Sequence, residues 1–241
     1  MSLPPNLSVV IPAYNEAERL PATLTRVREY LDRNARGYEV VVVNDGSTDA
    51  TAEVVEELAL TWPELRLLNN PGNRGKGFSV RNGVLNSRGD LVLFSDADLS
   101  TPIEELEKLV PKLDEFQVVI GSRGVKEADI QVRQPAHREL LGRAFNLAFQ
   151  ALLLPGIRDS QCGFKLFCRS AAMSSFGRAT IDGFGFDGEV LYIARRLGFA
   201  ICEVPVVWRN DERSKVSAIK DGTRMLSDLV TTRIRHRKVR R

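Results

Sequence analysis

The chain contains few cysteines and histidines, and this scarcity excludes several classes of protein. Its 241 residues include three cysteines and two histidines. Cys162, Cys168 and Cys202 are too few and too scattered for a disulfide framework, and their spacing does not match a zinc site. We therefore expect a reduced, cytoplasmic protein without structural zinc.

Long apolar runs are also missing. The most membrane-like stretch, residues 144–157 (AFNLAFQALLLPGI), is interrupted by Asn146, Gln150 and Pro155 and is shorter than the about 20 residues that a spanning helix needs. The start MSLPPNLSVV has neither the basic residues nor the apolar run of a signal peptide. We expect no membrane span, and we leave open a peripheral contact with the cytoplasmic face of a membrane.

The basic charge is concentrated at the carboxyl end. The net charge is +3, but residues 231–241 (TTRIRHRKVRR) carry only basic charged side chains, so the rest is slightly acidic. Such a tail suits anionic lipid or nucleic acid, although a solvated helix end explains it equally well. A nucleic-acid-binding protein would spread basic and aromatic residues over one face. We therefore expect no nucleic acid partner.

Short β-branched runs alternate with helical periods over the first 120 residues. Strands are predicted at 7–11, 39–44, 65–68, 90–95 and 117–120, with helices at 16–32, 48–60, in the segment ending near 86, and at 102–115. The pattern predicts an α/β fold with a mostly parallel, Rossmann-like sheet and helices on both faces. Ligands of such folds bind at the carboxyl ends of the strands.

The regular alternation of strands and helices ends after residue 121. An apolar helix is predicted at 139–154, a strand at 200–208 and a final helix from about residue 218, with glycine-rich segments between them. We expect one domain with a donor half (residues 1–121), an acceptor half (residues 122–230) and a basic tail (residues 231–241).

The segment FSDAD (94–98) places two carboxylates where a buried strand reaches the surface. Asp is a poor strand residue, so Asp96 and Asp98 need another explanation. A helix start or a surface accident would account for either one. Together they suit Mg²⁺ or Mn²⁺, which take carboxylate, phosphate and water oxygens.

Three further motifs lie at the carboxyl ends of predicted strands in the first half of the chain. NDGSTDAT (44–51) places Asp45 where it could accept hydrogen bonds from a base or ribose, beside residues typical of a turn and helix cap. PGNRGKG (71–77) is neither a P-loop nor a dinucleotide fingerprint, but its glycines and Lys76 suit an anion at a helix start. IPAYNE (11–16) could hold a planar base, with Glu16 accepting from hydroxyls; helix capping by Asn15 is the alternative.

Taken together, these motifs resemble family 2 glycosyltransferases of the GT-A fold. LSVVIPAYNE, VVVNDGSTDAT, NRGKGFSVRNG, FSDADLSTP and VVIGSR occur in order, and DSQCGFKLF, GFGFDGEVLYIA and EVPVVWRNDERSKVS extend the likeness over nearly the whole chain. The resemblance is strongest to the branch that makes dolichyl-phosphate glucose or mannose. It implies an inverting, metal-dependent transfer of a hexose from a nucleotide sugar to polyprenyl or dolichyl phosphate.

The resemblance also implies roles for individual residues. The nucleotide sugar would contact Pro12, Ala13, Tyr14, Glu16, Asp45, Lys76 and Asp96. Mg²⁺ or Mn²⁺ would bind Asp96 and Asp98; many relatives carry Gln where this chain has the shorter Ser100, which we leave out of the metal set. Asp98, Arg123 and Asp187 would act in catalysis, and Arg138, Ser214 and Lys215 would bind the acceptor or its phosphate.

Several alternatives remain open from the residues. UDP-glucose is favoured as donor, with GDP-mannose as the alternative. A phosphate acceptor is already an anion, whereas a saccharide or small-molecule hydroxyl needs a base; Asp187 is the candidate, unless it caps the helix that begins near Gly188. A nucleotide-sugar-binding module without activity is the non-enzymatic alternative, and the missing G-x-G-x-x-G disfavours an oxidoreductase.

Overall fold

A computed structural model describes residues 6–132, 146–209 and 220–240. The strands are β1 (Leu7–Ala13), β2 (Tyr38–Asn44), β3 (Leu65–Asn69), β4 (Leu91–Ser95), β5 (Val118–Ser122), β6 (Asp129–Val132), β7 (Phe164–Cys168), β8 (Ile201–Pro205) and β9 (Val207–Arg209). The helices are α1 (Leu20–Asn34), α2 (Thr51–Ala59), α3 (Lys76–Leu85), α4 (Leu106–Leu109), α5 (146–152), α6 (Arg169–Phe176), α7 (Phe186–Arg196) and α8 (Lys220–Arg235). Short 3₁₀ turns, Ile103–Glu105 and Val110–Asp114, flank α4.

Seven strands form one sheet in the order β3-β2-β1-β4-β7-β5-β8. The pairs within β3-β2-β1-β4 and the pair β5-β8 are parallel, while β7 runs antiparallel to both of its neighbours. A second, two-stranded sheet joins β6 to β9. Strands from both halves of the chain therefore build the same central sheet.

The valine-rich strands are buried on both faces. In β1, Val9 and Ile11 contact one hydrophobic cluster, which includes residues of α1, α2 and α4. Val10, between them, contacts the opposite cluster, which includes residues of α3 and α5 to α8. Because successive strand side chains point to opposite faces, a continuous apolar run supplies two cores at once. The predicted α/β class is confirmed.

Chain direction through the sheet defines where a ligand can bind. From β1 the chain passes outward to β2 and β3, and then returns to place β4 on the other side of β1. The chain consequently turns towards one edge of the sheet after β1 and towards the other edge after β4. A crevice opens between the carboxyl ends of these two strands. IPAYNE and FSDAD lie at this crevice.

Two predicted elements differ in the structure. The single helix expected at 102–115 is a 3₁₀ turn, the one-turn helix α4 and a second 3₁₀ turn; Pro111 lacks the N–H group that an α-helix would need there. The strand expected at 200–208 is two strands in two sheets, since β8 pairs with β5 and β9 pairs with β6.

The described part of the carboxyl-terminal half contains the helices α5 to α8 as well as strands β6 to β9. Part of the apolar helix expected at 139–154 lies outside the described residues, and residues 146–152 are helical. The basic tail starts as helix, because α8 extends to Arg235. Among the residues that the structure describes, no helix has the length and apolar character needed to span a membrane.

Candidate active site

The loops after β1 and β2 are joined by hydrogen bonds. The backbone N–H of Asn15 donates to the Ser47 hydroxyl at 2.9 Å, and that of Thr48 donates to Asn15 Oδ1 at 2.8 Å. The N–H of Glu16 donates to the Thr51 hydroxyl at 2.8 Å. Asn15 therefore stabilises the turn before α2, and its expected role as cap of α1 is wrong, because Arg19 occupies that position.

The IPAYNE residues lie along the end of β1. Pro12 and Ala13 are the last two residues of the strand, and the Tyr14 side chain next to them is 37% exposed. The Glu16 carboxylate lies 3.4 Å from the Arg19 guanidinium. An exposed aromatic ring beside a partly buried carboxylate is an arrangement that could contact a base and ribose.

Asp45 holds the loop between β3 and α3. It is buried, and its Oδ1 accepts from the Asn70 side chain at 2.8 Å and from the Arg74 N–H at 2.9 Å. Its Oδ2 accepts from the Gly75 N–H at 2.8 Å. These bonds shape the PGNRGKG turn, and the sequence did not indicate Asn70 as part of the site.

Close contact between loops explains the glycines of this turn. An added Cβ at Gly46 would lie 2.4 Å from the Gly72 carbonyl carbon, and one at Gly77 would lie 2.5 Å from the Ile181 carbonyl oxygen. Gly75, the N-cap of α3, has φ of 101°, which favours glycine. The glycines thus bring the start of α3 against both the β2 loop and the segment before α7.

Lys76 and Asp96 form the central ion pair of the crevice. Lys76 Nζ lies 2.6 Å from Asp96 Oδ1 and 5.4 Å from the centre of the Phe94 ring. Burial disfavours the charged lysine, but the attraction of Asp96, Asp187 and Asp98 outweighs it and raises the pKa of Lys76. Lys76 is thus a partly buried cation facing three carboxylates.

Asp98 forms no ion pair in the described contacts. Its Oδ1 accepts from the Ser100 N–H at 2.8 Å. Burial and the neighbouring Asp96 raise its pKa, against the smaller attraction of Lys76. An added positive charge beside Asp96 and Asp98 would stabilise the ionised form of Asp98.

Gly163 makes room for the Asp96 carboxylate. An added Cβ at Gly163 would lie 1.9 Å from Asp96 Oδ2, and the Asp96 N–H donates to the Gly163 carbonyl at 3.0 Å. The segment DSQCGFKLF therefore shapes the FSDAD site from the next strand, β7. No local pattern in the sequence connects Gly163 with Asp96.

The acid pair fits a divalent cation with phosphate. Within the described ranges, no group of three His, Cys, Asp or Glu side chains could enclose a metal ion. Asp96 and Asp98 would thus supply two oxygens, and a diphosphate and water would supply the rest, as Mg²⁺ and Mn²⁺ commonly allow. Gly163 has no side chain that would displace the Asp96 carboxylate from this position.

Arg123 is bound to Asp159 in two places. Its Nε donates to Asp159 Oδ2 at 2.6 Å, its Nη2 donates to Oδ1 at 2.9 Å, and its guanidinium lies 5.2 Å from the centre of the Trp208 ring. Burial raises the pKa of the Asp159 carboxyl, but the Arg123 charge and hydrogen bonds outweigh it, and the pKa is lowered. Asp159 also accepts from the Gln161 N–H, as expected of a residue that organises this loop.

Asp187 forms a buried ion pair with Lys165. Lys165 Nζ donates to Asp187 Oδ1 at 2.5 Å and to the Cys162 carbonyl at 2.5 Å, and both charged side chains are at most 5% exposed. Burial raises the pKa of Asp187 against the attraction of Lys165 and Lys76. Asp187 does not cap α7, because Gly185 is the N-cap and Asp187 lies inside the first turn.

The sequence missed Lys165, although a signal was present. A single lysine in the apolar run Phe164–Cys168 must either reach solvent or find a buried partner. Arg138, Ser214 and Lys215, the predicted acceptor residues, lie outside the described residues. The described part of the site therefore consists of the crevice at the ends of β1 and β4 and the ion pairs of Lys76, Arg123 and Lys165.

Comparisons with known proteins place this geometry among sugar-transferring enzymes. The model of the family "Glycosyl transferase family 2" matches residues 8–176. A dolichyl-phosphate beta-glucosyltransferase of Trichomonas vaginalis is 40% identical over 234 residues, which cover 92% of this chain and 68% of the relative. The dolichyl-phosphate beta-glucosyltransferase of Homo sapiens is 36% identical over 244 residues, covering 95% and 75%.

Solved structures share the fold at low identity. Glucosyl-3-phosphoglycerate synthase from Mycobacterium tuberculosis, in complex with Mn²⁺, UDP and phosphoglyceric acid, has a TM-score of 0.69 at 21% identity, covering 94% of this chain and 78% of that one. A mannosyltransferase from Pyrobaculum calidifontis, in complex with GDP-Man and Mn²⁺, has a TM-score of 0.60 at 19% identity, covering 96% and 75%. The GT-A fold expected from the motifs is confirmed.

Proposed function

The chain belongs to glycosyl transferase family 2, and on that premise we propose that it transfers glucose from UDP-glucose to dolichyl or another polyprenyl phosphate. The observation that carries this proposal is the identity of 34–40% to dolichyl-phosphate beta-glucosyltransferases, which extends over at least 92% of the chain. The relatives' β linkage, formed from an α-linked sugar nucleotide, implies a single displacement with inversion at the anomeric carbon.

The donor would lie in the crevice at the ends of β1 and β4. We assign Pro12, Ala13, Tyr14 and Glu16 to the nucleoside, with Asp45 beside them. Asp45 already accepts hydrogen bonds from the Asn70 side chain and from the Arg74 and Gly75 N–H groups, so its contribution includes holding the loop against which the nucleoside would bind.

Asp96 and Asp98 would hold Mg²⁺ or Mn²⁺ against the diphosphate, and the metal would neutralise charge on the departing nucleotide. Lys76 contributes a fixed positive charge beside the same diphosphate. Arg123 contributes a second one: Asp159 binds its Nε and Nη2, and Nη1 has no described partner. As the bond from C1 to the diphosphate oxygen breaks, these charges stabilise the leaving group.

The charge of the acceptor removes the need for a general base. A polyprenyl phosphate oxygen is an anion near neutral pH and attacks C1 directly, whereas a hydroxyl must first lose a proton. Asp187, the candidate base, is buried and bound to Lys165 at 2.5 Å. This pairing supports the phosphate acceptor over a hydroxyl acceptor. In this proposal Asp187 positions the ammonium groups of Lys76 and Lys165, which lie over the Phe94 ring. We retain Arg138, Ser214 and Lys215 as acceptor-phosphate residues.

A transfer assay tests the proposal. The full chain, Mn²⁺ or Mg²⁺ and a short polyprenyl phosphate would be incubated with labelled UDP-glucose or GDP-mannose, and the lipid-linked sugar would be measured. We expect product from UDP-glucose, and a loss of at least about 100-fold in the Asp98→Asn variant. Asp114→Asn is the matched control, because Asp114 is exposed and outside the crevice. Product from GDP-mannose alone, or only with hydroxyl acceptors, would refute the proposed donor or acceptor.

A further inference from the structure

Trp208 is a buried aromatic residue at the end of the segment EVPVVW, and the proposed function gives it no role. It is the middle residue of the three-residue strand β9 and is 8% exposed. The guanidinium carbon of Arg123 lies over its ring, 5.2 Å from the ring centre. Among aromatic side chains, tryptophan attracts a cation most strongly. This contact joins β9 to a charge of the active site.

Arg123 reaches the crevice because β4 and β5 run in the same direction. β7 is antiparallel to both strands, so the carboxyl ends of β4 and β5 lie at the same edge of the sheet. Arg123 follows β5 directly, as Asp96 follows β4. Burial disfavours the charged guanidinium, but Asp159 outweighs it and raises the pKa of Arg123, with a smaller contribution from Asp96. The charge of Arg123 therefore acts on the region of the acid pair.

Two contacts restrict the orientation of the guanidinium. Nε and Nη2 of Arg123 donate to Asp159 at 2.6 and 2.9 Å, which leaves Nη1 as the nitrogen without a described partner. Hydrogen bonds along one edge of a planar group still permit it to tilt about that edge. A ring against its face restricts this tilt, since guanidinium groups stack on aromatic rings. Asp159 and Trp208 together therefore determine where Nη1 lies.

Strand β9 is itself fixed at both of its ends. The Val207 N–H donates to Glu105 Oε2 at 3.1 Å, and the Arg209 N–H donates to the Ser100 carbonyl at 2.8 Å. The N–H of Ser100 in turn donates to Asp98 Oδ1 at 2.8 Å. The strand is therefore attached to the turn that carries a proposed metal ligand, and the ring at its centre has a fixed place beside the crevice.

We propose that Trp208 is a positioning residue for the transfer reaction, which holds the Arg123 guanidinium so that Nη1 faces the diphosphate of the leaving nucleotide. The inference rests on the proposed function, in that the leaving group is a nucleoside diphosphate. Trp208 contacts no reacting atom in this scheme and acts through Arg123. Its effect on the diphosphate should consequently disappear where Arg123 is absent.

Calorimetric titration with UDP in the presence of Mn²⁺ tests the proposal, because UDP carries the charge that develops on the leaving group. We expect Trp208→Leu to weaken UDP binding about tenfold, through loss of the cation–π contact and of the orientation that it maintains. Trp208→Phe keeps an aromatic face and should bind UDP within about threefold of the unaltered chain. Arg123→Gln and Arg123→Gln/Trp208→Leu should bind UDP equally. A further loss in the double variant would show that Trp208 acts independently of Arg123, and would overturn the proposal.

Trp62→Leu is the matched control. Trp62 is also buried under an arginine, with Arg28 at 5.4 Å from its ring centre, but it precedes β3 and lies at the opposite edge of the sheet from the crevice. Its replacement should lower the free energy of unfolding in urea and leave the UDP affinity unchanged. Equal weakening by Trp62→Leu would assign the effect to lost packing and overturn the proposal, as would wild-type affinity in Trp208→Leu. If Trp208→Leu does not fold, Trp208→Met fills more of the space and replaces it in every comparison.

The same titration separates this inference from the proposed function. A chain that binds GDP but not UDP would refute the proposed donor, and the variants would then be compared with GDP. A chain that binds UDP but forms no lipid-linked glucose would refute the proposed acceptor, while the UDP affinities of the variants would still decide the role of Trp208. Binding of neither nucleotide would overturn both proposals.

Discussion

Replacing Gly163, just before β7, by alanine should inactivate the enzyme by displacing the carboxylate of Asp96, just after β4. The new Cβ would lie 1.9 Å from Asp96 Oδ2, whereas ordinary contacts begin at 3.4 Å. Asp96 must therefore move by roughly 1.5 Å, which is far more than the about 0.2 Å within which metal–ligand distances vary. A displacement of about 1 Å at a reacting centre costs about 100-fold in rate. We expect kcat/KM for glucosyl transfer to fall by at least that factor, and calorimetric titration with Mn²⁺ to show weaker metal binding.

Two comparisons make this prediction specific. Gly37→Ala is the control, because its added Cβ would meet ordinary contacts of 3.6 Å or more in the turn between α1 and β2. Urea unfolding should show that Gly163→Ala is destabilised and that the double variant Gly163→Ala/Asp96→Ala recovers most of the loss, since the clash then has no partner. Wild-type activity and Mn²⁺ affinity in Gly163→Ala would refute the reasoning, and so would additive destabilisation in the double variant.

Three further predictions concern charged groups. Lys165→Met should destabilise the fold by about 3–5 kcal/mol in urea unfolding, because Asp187 is left as an unpaired buried charge; Lys165→Met/Asp187→Leu should recover most of this loss, and no recovery would argue against the pairing. The pKa of Asp159 is lowered in the folded state, so its stabilisation is complete above its ordinary value of 3.8 and is lost as pH falls through the lower folded value; Asp159→Asn should therefore flatten the decline of stability below about pH 4, and an unchanged acid limb would contradict this. Asp45→Asn should raise the KM for UDP-glucose and cost about 1–3 kcal/mol of stability, since an amide N–H₂ would face the Gly75 N–H; Asp114→Asn should change neither.

The first half of the fold could be predicted from the sequence because its signals are local. The valine runs of β1 and β2 are buried on both faces, and the glycines and polar residues after each strand mark the turns. Asp96 and Asp98 were recognisable for the same reason, as acids directly after an apolar strand. Where one residue overrides the local pattern, as Pro111 does after α4, the prediction fails.

The rest of the site depends on contacts between distant segments. Gly163 is required by Asp96, Asn70 is required by Asp45, and Lys165 is paired with Asp187 on another element. An aspartate near the start of a helix gives the same sequence pattern whether it caps the helix or pairs with a residue on a neighbouring strand. The capping interpretation of Asp187 was therefore wrong, because β7 supplies a buried lysine that the helix sequence does not reveal.

The antiparallel strand β7 also constrains the order in which the protein can assemble during synthesis. Among the described strands, β4 and β5 do not pair with each other, and β7 lies between them and pairs with both. The parallel group β3-β2-β1-β4 is complete once Ser95 has been made, whereas β5 must wait until Cys168 has left the ribosome. An emerging chain therefore presents an open edge on β4 throughout the synthesis of residues 96–168, and an unpaired edge can bind another chain. Nascent-chain aggregation should therefore be greatest in this interval and decline after β7 inserts.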